Sequence, residues 1–387
     1  MADLLLYGDT ESSASLRHEV PLAIGDPVLY AEVGERAYIQ SSALERDRLA
    51  RARPDAELID IDDLGFAELR ESGHSRDEVV VELASRAAAR TGVRRAIVDF
   101  EFPLGLAERL RADGIELAID DLAVKARRRV KSAAEMEGIT RAQAAAHEAM
   151  ATAAALLRRA HAVDGMLELN GGPLLAETVR GAMRDACWRV GALLPGDVIV
   201  ASVHQGYGHE PGSGPLPAGL PIVVDVWPQD LASGCWADMT RTLVAGGEPG
   251  AEVRRQEHLV RQALERVREA VRPGVSGREL HALACEIFEV AGYRTQRTGP
   301  GDDPNEGFQF SLGHGVGLRV HEDPGLGQSG HAKLVAGDVL AIEPGLWQRA
   351  VGGVRFEDLI LVSEHGAQTL TDFPYSLDPA SSGGGTT

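Results

Sequence analysis

Residues 311–321 read "SLGHGVGLRVH", and this stretch decides how the rest of the chain is interpreted. Three glycines surround two histidines, His314 and His321, which stand seven positions apart. The simplest interpretation is a tight turn with two incidental histidines, because glycine is common in turns. The alternative is a ligand histidine whose glycine-flanked backbone passes close to another group. The carboxylates elsewhere in the chain distinguish these interpretations.

Four carboxylates occupy strand-like segments in which a half-buried strand favours a hydrophobic residue. Asp225 follows the apolar run of "PIVVDVW", and Asp238 begins the run in "ADMTRTLV". Glu343 lies in "VLAIEPG" and Glu357 in "VRFEDLILV". An ionised carboxylate in a protein interior is unfavourable unless it is paired, hydrogen-bonded or bound to a metal. A salt bridge explains any one of them, whereas four together with His314 suit a pair of Mn²⁺, Co²⁺, Fe²⁺ or Zn²⁺ ions about 3.5–4 Å apart.

In this order the five residues resemble the M24 metallopeptidase family of methionine aminopeptidase, aminopeptidase P and prolidase, which has the pita-bread fold. The matching stretches are "DVWPQDLASGCWADMTRT", "GHGVGLRVHEDP", "AIEPG" and "GGVRFEDLILV". The resemblance implies that Asp238 and Glu357 bridge two divalent metal ions, with Mn²⁺ the first candidate. It implies further that Asp225 binds one ion and that His314 and Glu343 bind the other.

The resemblance also implies catalytic roles. His321 corresponds to a histidine that contacts the substrate carbonyl and the tetrahedral intermediate, and Glu343 to a group that moves a proton to the leaving nitrogen. His209, in "GYGHEPGSG", stands near the place of an upstream substrate-side histidine. His204 is the alternative for that role, although it lies farther from Asp225 along the chain.

Two arginines have expected roles beside these residues. Arg355 shares a strand face with Glu357 if the strand is regular, which favours a residue that holds the ligands in place. Arg319 lies two positions before His321 and would pair with a substrate carboxylate if that segment is extended. The alternative for Arg319 is an exposed salt bridge elsewhere.

The chain has 387 residues, which favours two domains. Alternating short strands and helices predict an α/β domain over residues 1–124, similar to the N-terminal domain of prolidase and creatinase relatives. Residues 125–375 are expected to form an α+β pita-bread catalytic domain, and residues 376–387 a disordered tail. Ser132 and Glu135 have the spacing of a capping box before a long alanine-rich helix.

Composition restricts the partners. The net charge of −19 argues against nucleic acid and anionic membranes, and the basic run "VKARRRVK" at residues 124–131 is interpreted as a solvated linker and helix face. Three widely spaced cysteines suggest free thiols in a reducing compartment. No apolar run approaches membrane-spanning length. We therefore expect a cytoplasmic protein, and the family resemblance adds a homodimer that takes small peptides.

The predicted function is hydrolysis of the Xaa-Pro bond of dipeptides or of peptide N-termini. Two alternatives remain open at the level of sequence. One is a creatinase-like hydrolase or lyase of a small non-peptide molecule, and the other is a pita-bread binding module without catalysis. Five intact ligands weigh against the binding module.

Overall fold

The structure is a computed structural model that describes residues 2–202 and 210–382, and the chain divides into two compact units, residues 1–128 and 129–387. The predicted boundary at residue 124 falls inside the helix Asp121–Arg127. The tail predicted to begin at residue 376 still contains the buried Leu377 and a 3₁₀ turn at Pro379–Ser382. Residues 383–387 lie outside the described part.

The first unit is a doubly covered α/β sheet. In chain order it contains β1 Asp3–Gly8, α1 Ala14–Glu19, β2 Val28–Val33, β3 Arg36–Ser41, α2 Arg46–Ala52, β4 Ala56–Asp60, α3 Phe66–Glu71, α4 Arg76–Thr91, β5 Arg95–Val98, α5 Leu104–Ala112, β6 Glu116–Ile119 and α6 Asp121–Arg127. The strand order is β4-β3-β2-β1-β5-β6, and only β2 among them runs antiparallel to its neighbours. Alternate residues of β1 enter opposite cores, because strand side chains alternate between faces.

The second unit combines long helices with several short sheets. It contains α7 Ala133–Arg159, β7 His161–Val163, β8 Met166–Leu169, β9 Gly172–Pro173, α8 Ala176–Arg189, β10 Ala192–Leu193, β11 Ile199–Ser202, β12 Pro221–Val226, β13 Gln229–Asp230, β14 Met239–Val244, α9 Ala251–Ala270, α10 Gly277–Val290, β15 Gly313–Gly315, β16 Glu322–Leu326, β17 Val339–Ile342, β18 Gly345–Gln348, β19 Gly352–Arg355, β20 Asp358–Ser363 and β21 Gly366–Thr369. Two of its sheets carry the site, with orders β11-β12-β14 and β16-β15-β17-β20-β21.

Each of these two sheets packs against its own pair of helices. Helices α7 and α8 share a hydrophobic core with the three-stranded sheet, in which Met150 and Val224 are fully buried. Helices α9 and α10 share another core with the five-stranded sheet, in which Phe288 and Ile360 are fully buried. Apolar packing on one face of each sheet therefore restrains the strands that carry or adjoin the candidate ligands.

The basic run before α7 is only partly the solvated segment that the sequence predicted. Lys125 fits that interpretation, because its side chain is 43% exposed and pairs with Asp121 on the same helix. Lys131 does not, because only 2% of its side chain is exposed and its ammonium group pairs with Glu322. The physical reason is a partner 191 positions away, which a local charge pattern does not reveal.

Two further expectations from the sequence concern cysteines and membranes. Cys187, Cys235 and Cys285 are all buried free thiols. Within residues 2–202 and 210–382, every helix is too short or too polar to cross a bilayer.

Candidate metal centre

Two aspartates lie on adjacent antiparallel strands. Asp225 is in β12, opposite Thr240 of β14, and Asp238 directly precedes β14. Both side chains are buried, and the Oδ1 atom of each has no hydrogen-bond partner among the described residues. A buried carboxylate oxygen without a partner is unfavourable unless a cation lies against it. The two Oδ1 atoms therefore mark a place suited to a cation.

Glu357 reaches the same place from the junction between β19 and β20. Its side chain is 1% exposed, and its backbone N–H donates to the Thr240 carbonyl oxygen at 3.1 Å. The Thr240 hydroxyl donates to Glu357 Oε2 at 2.7 Å. The expected continuous strand through Glu357 is interrupted at residues 356–357, because the backbone there bonds to β14 instead. Thr240 was not predicted, although it lies two positions after Asp238 on a strand and so on the same face.

His314 is the central residue of β15, between two glycines. A side chain at Gly313 would place its Cβ 1.9 Å from the Ala341 carbonyl oxygen, and one at Gly315 would place it 2.4 Å from the Asp323 carbonyl oxygen. Glycine is thus required at both positions because the neighbouring strands pass close to them. The sequence had suggested another reason, namely that the backbone passes close to the metals. The His314 Nδ1 atom lies 3.1 Å from the Gly315 carbonyl oxygen, which favours the tautomer with Nδ1–H as donor and Nε2 as the unprotonated nitrogen that can bind a cation.

Glu343 directly follows β17, and its backbone N–H donates to the Leu312 carbonyl oxygen at 2.8 Å. Its Oε1 atom is 3.6 Å from His314 Nε2, and its Oε2 atom is 3.9 Å from Arg355 Nη1. Arg355 ends β19 and donates from Nη2 to Asp225 Oδ2. Arg355 therefore contacts two of the four carboxylates, in agreement with its expected place beside the ligands.

One guanidinium group cannot neutralise four neighbouring carboxylates. Burial raises the pKa of Glu343 to about 7, although Arg355 opposes the rise. The pKa values of Asp238 and Glu357 are raised well above their ordinary values by burial and then by the surrounding carboxylates. Without further positive charge, the cluster holds protons in preference to ionising fully. Divalent cations would replace those protons.

The donor set fits such cations. The potential ligand atoms form three groups, and within each group all atoms lie within 4.8 Å of one another. The groups are Asp225, Asp238 and Glu357; His314, Glu343 and Glu357; and Asp238, His314 and His321. Carboxylate oxygens with one or two imidazole nitrogens suit Mn²⁺, Co²⁺, Fe²⁺ or Zn²⁺. Asp238, His314 and Glu357 each belong to two groups, and of these the two carboxylates are the ones that can bridge two ions.

A cavity of about 660 Å³ opens onto this cluster. His314, His321 and Glu343 form its polar floor, together with Arg355. Its walls are apolar and amide side chains, among them Val223, Phe310, Leu346, Trp347, Gln296, Asn305 and Gln309. The volume suits a small molecule or a short peptide, and the lining can bury most of its surface.

The other predicted residues have different positions. The His321 ring lines the cavity edge-on to the His314 ring, with centroids 4.2 Å apart. Arg319 has an exposed side chain, and the segment around it is a bend instead of a strand, so the condition for a shared face with His321 is not met. His209 and its alternative His204 lie outside the described residues. Glu210, which follows His209, lines the cavity.

A model of metallopeptidase family M24 matches residues 137–364, more than half of the chain, and the chain belongs to this family. The resemblance drawn from the ligand set is thereby confirmed. The Xaa-Pro dipeptidase of Pyrococcus furiosus is 40% identical over 135 residues, which are 35% of this chain and 35% of that protein. The chain thus matches about a third of the length of this curated relative.

Solved structures resemble the fold over nearly the whole chain. The X-Pro aminopeptidase of Thermotoga maritima has a TM-score of 0.77 at 20% identity, covering 97% of this chain and 97% of that chain. The prolidase of Pyrococcus horikoshii has a TM-score of 0.74 at 23% identity, covering 97% of this chain and 95% of that chain. The predicted fold class, an α/β N-terminal domain followed by a pita-bread domain, is confirmed.

Proposed function

We propose that the chain is a metal-dependent exopeptidase that hydrolyses the Xaa-Pro bond of dipeptides or of peptide N-termini. The observation that carries the proposal is the convergence of four carboxylates, three of them buried, and His314 beside a cavity of about 660 Å³ that His314 and Glu343 line. Membership of family M24 supports metal-dependent peptide hydrolysis. The name of the Pyrococcus furiosus relative, Xaa-Pro dipeptidase, supports the substrate class.

In this proposal the ligands divide between two Mn²⁺ ions. Asp238 and Glu357 would be shared by the two ions, Asp225 would bind one of them, and His314 and Glu343 would bind the other. The unpartnered Oδ1 atoms of the two aspartates support this assignment, because each would gain a cation as its partner.

Two bound cations would lower the pKa of a shared water from about 15.7 towards about 7 and polarise the scissile carbonyl. Glu343 is suited to move a proton to the leaving nitrogen, because its carboxylate lines the cavity with His314 and His321. His321 is suited to donate a hydrogen bond to the carbonyl oxygen as charge develops there. His209 is proposed to share this role and to orient the substrate. The homodimer and the cytoplasmic location stay predictions.

The test combines metal analysis with a substrate panel. Apoprotein is reloaded with Mn²⁺, Co²⁺ or Zn²⁺ and assayed on Xaa-Pro dipeptides, longer Xaa-Pro peptides and peptides with N-terminal methionine. We expect turnover of Xaa-Pro compounds only after reloading. No turnover of any Xaa-Pro compound by metal-loaded protein would refute the substrate class.

Replacing Asp238 tests the ligand assignment separately. Asp238→Ala is expected to abolish activity and most metal binding, because a bridging carboxylate holds both ions. Asp230→Ala is the matched control, since Asp230 is also buried in the same hairpin but is held by Arg141 and Ser233. Elemental analysis should show a metal deficit in the first variant alone, and full metal content in Asp238→Ala would disprove the assignment.

A further inference from the structure

The buried ion pair between Lys131 and Glu322 lies beside the histidine segment and has no place in the proposed chemistry. The exposed fractions of the two side chains are 2% and 4%. Lysine and glutamate are seldom buried to this degree, because both lose strong hydration. Such a pair is weak support for stability, so its position needs another explanation.

The pair lies against the glycine-rich segment that carries both histidines. A Cβ atom at Gly317 would lie 2.5 Å from Glu322 Oε1 and 2.6 Å from Lys131 Nζ, so the pair fills the space beside that glycine. Glu322 directly follows His321, and its backbone pairs with Gly315 next to His314. The Gly317 carbonyl oxygen accepts the Trp236 N–H at 2.8 Å, two positions before Asp238. The charged pair thus lies against the segment between the two histidines, and that segment in turn bonds to the residues just before Asp238.

The residues before and after Lys131 are both restrained by hydrogen bonds. Arg129 makes two parallel bonds to Asp338, with Nε–Oδ1 and Nη2–Oδ2 distances of 2.9 and 2.6 Å. Ser132 caps α7 in a reciprocal capping box with Glu135. Residues 129–132, which we call the strap, are therefore fixed at both ends. The backbone that carries the Lys131 side chain is therefore restrained on both sides of this residue.

We propose that Lys131 is a positioning residue that acts through Glu322 to hold His321 in its orientation toward the cavity. The inference rests on the proposed function, in which His321 donates to the substrate carbonyl oxygen. The strap fixes Lys131, Lys131 fixes the Glu322 carboxylate, and the neighbouring His321 backbone is fixed in turn. The His321 ring lines the cavity and packs edge-on against the His314 ring, so its orientation depends on the backbone of this segment.

Lys131→Met tests the inference, because methionine keeps the unbranched shape and most of the length of the side chain and removes the charge. We expect kcat to fall roughly 10- to 100-fold, the range for loss of a partner that orients a site residue, with KM and metal content nearly unchanged. Arg141→Met is the matched control, since it breaks another pair with a buried aspartate in the same unit. The control should lower Tm and leave kcat per metal-loaded subunit unchanged.

The double variant Lys131→Met/Glu322→Gln separates positioning from stability. It leaves no unpaired buried charge, so Tm should recover toward that of the unaltered protein while kcat stays low. Recovery of kcat together with Tm would overturn the proposal, because the single variant would then have failed only through an uncompensated charge.

Hydrogen exchange measured by mass spectrometry gives a readout without activity. In Lys131→Met and in the double variant, amides of residues 312–326 should exchange faster, whereas those of residues 221–226 should not change. Unchanged exchange in residues 312–326 would overturn the positioning role. Inactivity of the unaltered, metal-loaded protein on the Xaa-Pro panel would refute the proposed function instead, so the two failures are distinguishable.

Discussion

Replacing Glu343 with glutamine is expected to stabilise the metal-free protein at neutral pH, although it removes a proposed metal ligand. Burial raises the pKa of Glu343 from its ordinary value of 4.5 to about 7. The folded protein therefore binds this proton more tightly than the unfolded chain does. A carboxyl group with a raised pKa contributes stability that is fully present below about pH 4.5 and is lost as the pH rises through about 7.

The size of the effect follows from the difference between the two pKa values. A tenfold change in proton affinity corresponds to about 1.4 kcal/mol, so ionised Glu343 lowers the free energy of unfolding by about 3 kcal/mol at neutral pH. Glutamine has a similar size and no charge at any pH. For a unit of this length, a difference of that size corresponds to roughly 6–12 °C in Tm.

The assay is thermal unfolding of chelator-treated protein between pH 5 and pH 8. Tm of the unaltered apoprotein should fall relative to that of Glu343→Gln as the pH rises. Glu279→Gln is the control, because the Ser276 side chain lowers the pKa of Glu279 to about 2, so this group does not titrate in the assay range. Parallel curves for Glu343→Gln and the unaltered protein would refute the reasoning. Added Mn²⁺ should raise Tm of the unaltered protein more at pH 8 than at pH 5, because its ligands must be deprotonated.

Three other substitutions have defined outcomes. His321→Ala should retain its metals by elemental analysis and lose kcat by roughly 10²-fold, the loss expected for one donor to a developing oxyanion; a metal deficit equal to that of His314→Ala would show that both histidines are ligands. Thr240→Val should weaken Mn²⁺ affinity roughly 10- to 100-fold in titration calorimetry, because Glu357 loses the hydrogen bond that orients it; an unchanged affinity would contradict that role. Arg319→Ala tests the predicted carboxylate contact by comparing KM for a Xaa-Pro dipeptide and its amide, and equal effects on both would remove it.

A local signal in the sequence was sufficient for α7. The capping-box spacing of Ser132 and Glu135 predicted a helix that the structure places at Ala133–Arg159, with both reciprocal bonds present. Such a signal depends on residues three positions apart, so it needs no knowledge of the rest of the chain. The predicted strand through Glu357 was wrong at residues 356–357, because the hydrogen bond from the Glu357 N–H to Thr240 joins residues 117 positions apart.

The candidate ligands could be predicted because a carboxylate inside an apolar run is unfavourable unless it has a function or a partner. The residues that support the ligands are not unusual for their positions in the sequence. Thr240 is an ordinary residue for a strand, and Lys131 belongs to a basic run that resembles a solvated linker. Their importance comes from partners 117 and 191 positions away, and only the folded chain shows those partners.

The carboxylates proposed to bind metal also destabilise the metal-free fold. Asp238, Glu343 and Glu357 all have raised pKa values, so each stabilises the apoprotein less as the pH rises. Arg355 offsets part of this repulsion, but a single positive charge cannot offset four negative ones. A chain selected for stability alone would replace these carboxylates by apolar residues. Their presence in and beside strands that pack against two well-filled cores is therefore the physical signature of a site whose stability depends on bound cations.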